Sequence, residues 1–233
     1  MQDFFFWSAR YGNISDVKKC LDQGVHADSQ DKDYYTALIL ASANGHEEVC
    51  ELLITRGCKV DMQTKYGETA LMYATTNGHK AVCELLITRG SKVNMQDNDG
   101  WTALIKASYF NGHRAVCELL ITRGCNVDMQ ANNGNTALIR ASETGKEALC
   151  ELLITRGCNL DMQNNDGETA LIAASGNRNI PIVISLIKAG CDYSLRNKKG
   201  KSAMDILREK YPDKAKEVQV SRSLTVVVTH SLI

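Results

Sequence analysis

The chain alternates, many times over, between two kinds of short apolar run separated by polar turns. In the run opening at Thr69, Leu71, Ala74 and Thr75 recur at helical spacing, and the small Ala and Thr side chains let a second helix come close. Thr69 predicts the start of that helix, because a Thr hydroxyl at the N-cap accepts a bond from a free N–H of the first turn. Gly78 predicts its end, since glycine takes the left-handed conformation beyond a helix without strain. The next run, 81–88, puts Val82, Leu85 and Leu86 on one face and leaves Glu84 and Arg89 to solvent. That spacing predicts a second, antiparallel helix closed by Gly90. Val93 and Met95 then predict a short extended segment ahead of an Asn/Asp/Gly turn.

The same grammar recurs along the chain. Thr36-Ala37-Leu38, Thr69-Ala70-Leu71, Thr102-Ala103-Leu104, Thr136-Ala137-Leu138, Thr169-Ala170-Leu171 and Ser202-Ala203-Met204 stand in register, at steps of 33, 33, 34, 33 and 33 residues. Four copies of the second run read Cys-Glu-Leu-Leu-Ile-Thr-Arg-Gly, at 50–57, 83–90, 117–124 and 150–157, which points to duplication. One helix pair cannot cover its own apolar face, so stacking against neighbours must supply the core.

The unit resembles the ankyrin repeat. The resemblance rests on Asp97, Asp99, Gly100, Thr102, Ala103, Leu104, Ala107 and Ser108, followed by Gly112, His113, Val116, Leu119, Leu120, Gly124, Val127 and Asp128. Two departures are systematic: Ala stands where the motif has Pro after Thr, and Ile or Met where it has His. The resemblance implies an all-α solenoid of about seven stacked units, each a helix-turn-helix with a β-hairpin loop. The expected division is a degenerate capping unit at 1–33, repeats at 34–66, 67–99, 100–133, 134–166 and 167–199, a capping half unit at 200–217, and a disordered tail at 218–233. Pro181 falls in the first turn of a helix, where it is tolerated. The aromatic start, Phe4 to Trp7, is expected to cap the stack.

Composition narrows the function. Lys plus Arg and Asp plus Glu are 27 each, so no global field holds a nucleic-acid backbone or an anionic membrane. No run approaches the roughly 18 to 20 apolar residues of a membrane span, and residues 1–7 lack the basic and long apolar regions of a signal peptide. Seven of nine cysteines keep repeat spacing: Cys50, Cys83, Cys117 and Cys150 in one phase, Cys58, Cys125 and Cys158 in another. Neighbouring repeats lie about 10 Å apart, beyond the roughly 7 Å reach of a disulfide. The expectation is reduced, packed thiols in a cytoplasmic or nuclear monomer.

Catalysis finds little support. His46, His79 and His113 recur once per repeat and so cannot converge on one ion or one base. Asp97-Asn98-Asp99-Gly100 and Asn164-Asn165-Asp166-Gly167 suggest calcium loops but lack the distal Glu such loops use. No catalytic, cofactor or metal residue is expected. A Cys/His enzyme remains the rival from another class.

Binding is the favoured reading, and its sites are the positions that vary between copies. After each turn these are Tyr35, Glu68, Trp101, Asn135 and Glu168; on each first helix they are Leu40, Tyr73, Lys106, Arg140 and Ala173. The resemblance implies that such positions form a concave face. The extra residue of the 34-residue step falls at Tyr109-Phe110. Tyr66, Tyr73, Trp101, Lys106, Tyr109, Phe110 and Arg140 are therefore expected to form one protein-binding patch, rich in the aromatic and basic types that anchor interfaces. The partner's identity stays open. So does an adaptor, or a piece of a larger ankyrin protein, acting through the tail or another domain; the ending Ser231-Leu232-Ile233 resembles a ligand of PDZ domains. Asn94 stands where the resemblance implies a hydroxylation site.

Overall fold

The computed structural model describes residues 1–110 and 112–219. The described residues fall into two units, divided between Asn126 and Val127. The first holds α1 (Gln2–Arg10), α2 (Ile14–Asp22), α3 (Ala37–Ala43), α4 (Glu47–Thr55), α5 (Ala70–Asn77), α6 (Lys80–Thr88), α7 (Ala103–Tyr109) and α8 (Arg114–Thr122). The odd-numbered helices form one layer, α1 on α3 on α5 on α7, and the even-numbered ones a second layer behind it. In the second unit α9 (Ala137–Glu143), α11 (Ala170–Gly176) and α13 (Ala203–Lys210) form the first layer. There α10 (Glu147–Thr155) packs on α12 (Ile180–Lys188), and a last helix, α14, spans 212–219.

Each first helix starts where its Thr predicts. Thr36, Thr69, Thr102, Thr136 and Thr169 each accept a bond from the N–H three residues on, at 3.2 to 3.3 Å. In α13, Ser202 and Asp205 cap each other reciprocally. Nine-residue helices are marginal alone in water, so packing decides their stability. In α4, Val49, Cys50 and Leu53 are buried while Glu48 and Glu51 face water. In α3 every residue from Ala37 to Ser42 is buried, because neighbours cover both sides of the helix. Each such Leu or Ile contributes about 1.5 to 3 kcal/mol.

Successive repeats are locked by bonds that recur with the sequence. His46 reaches back to Arg10 O at 2.9 Å and His79 to Ala43 O at 3.1 Å, each ring lying over the glycine that follows the first helix of the preceding pair. A Cβ on Gly45, whose φ is 78°, would sit 2.6 Å from the His79 ring, so any other residue there needs both strain and displacement. On the outer layer, Arg56, Arg89 and Arg123 pair with Asp22, Glu51 and Glu84 one repeat earlier. The shared Cys-Glu-Leu-Leu-Ile-Thr-Arg-Gly therefore carries an ion-pair ladder as well as the trace of duplication.

Two expectations change. The segment at Val93 is a turn rather than an extended strand, and the isolated bridges among the described residues are Gln30 to Thr36 and Arg196 to Ser202. At the tips, backbone bonds such as Asp97 N–H to Trp101 O and Asn98 N–H to Tyr66 O are joined by side-chain ones: Gln63 donates to Gly67 O and Gln96 O, and Gln130 to Gly134 O and Gln163 O. The last cap also extends past 217, since α14 runs to 219 with Ala215 and Val218 buried. The rest of the expected tail, including Ser231-Leu232-Ile233, lies outside the described residues. At the other end, Phe5 and Phe6 are buried, whereas Phe4 and Trp7 face outward.

Candidate functional site

The turn tips and first helices of the first unit carry a connected group of side chains. Thr102 starts α7 and thereby places Lys106 one turn in. Its ammonium lies 2.7 Å from Glu68 and 2.8 Å from Asp97. Glu68 also accepts from the Tyr73 hydroxyl, which meets the Tyr35 hydroxyl at 2.6 Å. Asp97 is fixed in turn because its Oδ1 accepts the N–H groups of Asp99 and Trp101 at 3.0 and 2.8 Å. Three consecutive repeats are tied into one polar network by this chain of contacts.

The electrostatics are those of a brace. Burial disfavours the Lys106 charge, but Asp97 and Glu68 outweigh it and raise the ammonium above its ordinary range. Burial, and then the bonds to Glu68 and Tyr35, hold the Tyr73 phenol protonated well above its usual range. A nucleophilic lysine or a basic tyrosinate needs the opposite shift. The thiols are likewise poor nucleophiles. Burial pushes Cys50 and Cys83 up to about 11, and Cys58, Cys117 and Cys150 up to about 12. Among the described residues no three His, Cys, Asp or Glu side chains gather as metal ligands, and no helix there is long and apolar enough to cross a membrane.

Beside the brace stands an aromatic cluster. Trp101 packs against Tyr109 at 5.4 Å, nearly edge on, and against Phe110 at 6.2 Å, while Tyr109 and Phe110 meet at 5.2 Å. Tyr109 is 37% exposed and Phe110 50%. The Lys106 ammonium lies 5.8 Å from the Trp101 ring centroid.

Of the seven residues expected in the patch, Trp101, Tyr109 and Phe110 come together. Lys106 does not belong to an exposed anchor set: it is buried, because two carboxylates pull it inward. Tyr73 is half-buried and engaged with Glu68 and Tyr35. Tyr66 is exposed on the preceding tip, with the Lys65 ammonium 5.0 Å from its ring. Arg140 lies in the second unit, paired with Glu143 at 2.7 Å. The part sequence reasoning missed is Asp97 as the second carboxylate of the brace. Its signal was local, a carboxylate at the tip nine residues before Lys106, whereas the 38-residue spacing shared by Tyr35 with Tyr73 and by Glu68 with Lys106 marks the first carboxylate.

Residues 5–97 and 82–164 match the family model of ankyrin repeats in three copies, and residues 153–207 match that of ankyrin repeats in many copies. Among solved structures, the human ASB11 ankyrin repeat domain is 25% identical, with a TM-score of 0.83 over 93% of this chain and 96% of that one. The ankyrin repeat domain of Bcl-3, of the IkappaB protein family, is 24% identical, with a TM-score of 0.81 over 93% and 97% of the two chains; it supports the fold alone. No curated protein matches the sequence.

Proposed function

Because the chain belongs to the ankyrin repeat family, we propose that it is a non-catalytic interaction module that binds a protein partner through its turn tips and first helices. The observation that carries this reading is the pair of exposed rings, Tyr109 and Phe110, packed on a half-buried Trp101 beside the Lys106 brace. Large aromatic side chains held rigidly lose little entropy on binding. The raised thiol, lysine and tyrosine values favour packing and bracing over catalysis. The proposed working form is a monomeric scaffold or adaptor in the cytoplasm or nucleus, where nine free cysteines fit a reducing compartment.

The test compares proteins captured from native lysate by the wild-type chain and by a Tyr109→Ser, Phe110→Ser variant. Matching circular dichroism and melting must first show that the variant keeps its fold. A prey retained by wild type and lost by the variant supports the cluster as the binding site. An unchanged set of prey refutes it.

A further inference from the structure

The repeats permit a comparison within one chain. Around Lys106 in the first unit stand Glu68, Tyr73 and Asp97. One hundred residues on, in the same register, stand Glu168, Ala173, Asn197 and, in place of the lysine, Ile206. The carboxylate is kept; the ammonium, the phenol and the second carboxylate are gone.

These four residues line one pocket of about 230 Å³, together with Gly176, Lys199 and Lys210 among others. Tyr73 is replaced by a methyl group and Lys106 by a shorter, neutral side chain, so the space they fill in the first unit is open in the second. Among the described residues, no hydrogen bond or ion pair reaches the Glu168 carboxylate, although it is half-buried. Burial, and then the charges of Asp166 and Glu143, raise its pKa against the smaller opposing pull of Lys199 and Lys210, neither of which pairs with it as Lys106 pairs with Glu68.

We propose that this pocket receives the ammonium or guanidinium end of a basic side chain from a protein partner, in the position that Lys106 occupies internally in the first unit. The partner clause rests on the interaction-module reading; the cation site itself rests on the register. The mouth sets the flanking sequence. Lys199 and Lys210 stand there, and Lys201 is paired with Glu209, so a basic residue between acidic neighbours fits the pocket and a run of basic residues does not.

The test is a titration of the full ¹⁵N-labelled chain with three blocked tripeptides, Glu-Arg-Glu, Glu-citrulline-Glu and Glu-Gln-Glu, followed by amide chemical shifts. The arginine peptide should give saturable shifts at Glu168, Ala173 and Ile206. Citrulline keeps the shape and removes the charge, and it should bind about tenfold more weakly, as loss of one charge-assisted bond implies. Glu168→Gln should weaken the arginine peptide by a similar factor. Ile206→Lys, which refills the pocket from within, should abolish the shifts while Glu68→Gln in the first unit leaves them intact. The proposal fails if no saturable shift is seen, if the citrulline or glutamine peptide binds as tightly as arginine, or if Glu168→Gln binds like wild type. These readouts are independent of the lysate capture, so either reading can fail alone.

Discussion

Replacing Lys106 with Met keeps the length and packing of the stem and removes the charge, so it tests the brace directly. The ammonium touches Glu68 at 2.7 Å and Asp97 at 2.8 Å, and the three side chains are only 11%, 20% and 6% exposed. Removal forfeits two charge-assisted bonds and strands two carboxylates whose oxygens are at most about 5.5 Å apart, the sum of those contacts. At an effective dielectric of about 20 their repulsion is roughly 3 kcal/mol. Part of the loss is offset because a buried ammonium is no longer desolvated, which leaves a cost of about 3 to 5 kcal/mol at pH 7. Urea unfolding followed by Trp101 fluorescence in a Trp7→Phe background reads this as a midpoint shift of roughly 1.5 to 2.5 M. Neutralising both carboxylates, with Glu68→Gln and Asp97→Asn, should recover most of it. Asn at 97 preserves the turn, as Asn164 and Asn197 do at their own tips. Lys106 is raised in the fold, so the stability it contributes is complete below its unfolded pKa and lost as pH rises through the folded one; the variant should lack that alkaline loss. A cost below 1 kcal/mol, or the same cost with the carboxylates neutralised, refutes the brace.

Three further outcomes follow from neighbouring geometry. Ala131→Asp should stabilise the second unit by about 0.5 to 1.5 kcal/mol in thermal melts, because Asp31, Asp97, Asn164 and Asn197 each accept two tip N–H groups and Ala131 accepts none through its side chain. Glu168→Gln should stabilise the chain at pH 7: a carboxylate whose folded pKa is raised contributes its stability below the unfolded pKa and loses it as pH rises, so the difference between wild type and variant should vanish near pH 3. Ellman's reagent at pH 7 should react slowly with the native chain and fast after denaturation, because burial raises eight of the nine thiols and the ninth, Cys20, is itself buried; one fast native thiol would revive the Cys/His enzyme.

The helix starts were legible because a Thr cap is a local device: its hydroxyl and the N–H it satisfies lie three residues apart in sequence. The meeting of Tyr109 and Phe110 with Trp101 was legible for a similar reason, since the added residue falls at the end of the same helix that Trp101 precedes. The fate of Lys106 was not. A basic residue on a short helix reads as exposed until the tip 38 residues earlier supplies Glu68 and its own tip supplies Asp97. Val93 misled because β-branched composition says nothing of where hydrogen bonds go, and here the Met95 N–H turns back to Lys92 O.

The two layers therefore evolve under different physical constraints. On the outer layer each Arg needs an acid one repeat back, so the change of one copy strands a charge in the next. On the inner layer the contacts at a spacing of 38 join positions that vary between copies: Tyr35 with Tyr73, Glu68 with Lys106. A substitution there removes one partner of a pair and leaves the other facing an opening. Glu168 is such a remainder, beside Ala173 and Ile206. If Ile206→Lys forms the pair that Glu68 and Lys106 form, its stabilising effect should disappear in a Glu168→Gln background. A double-mutant cycle with zero coupling would show that the register does not carry the chemistry from one unit to the other.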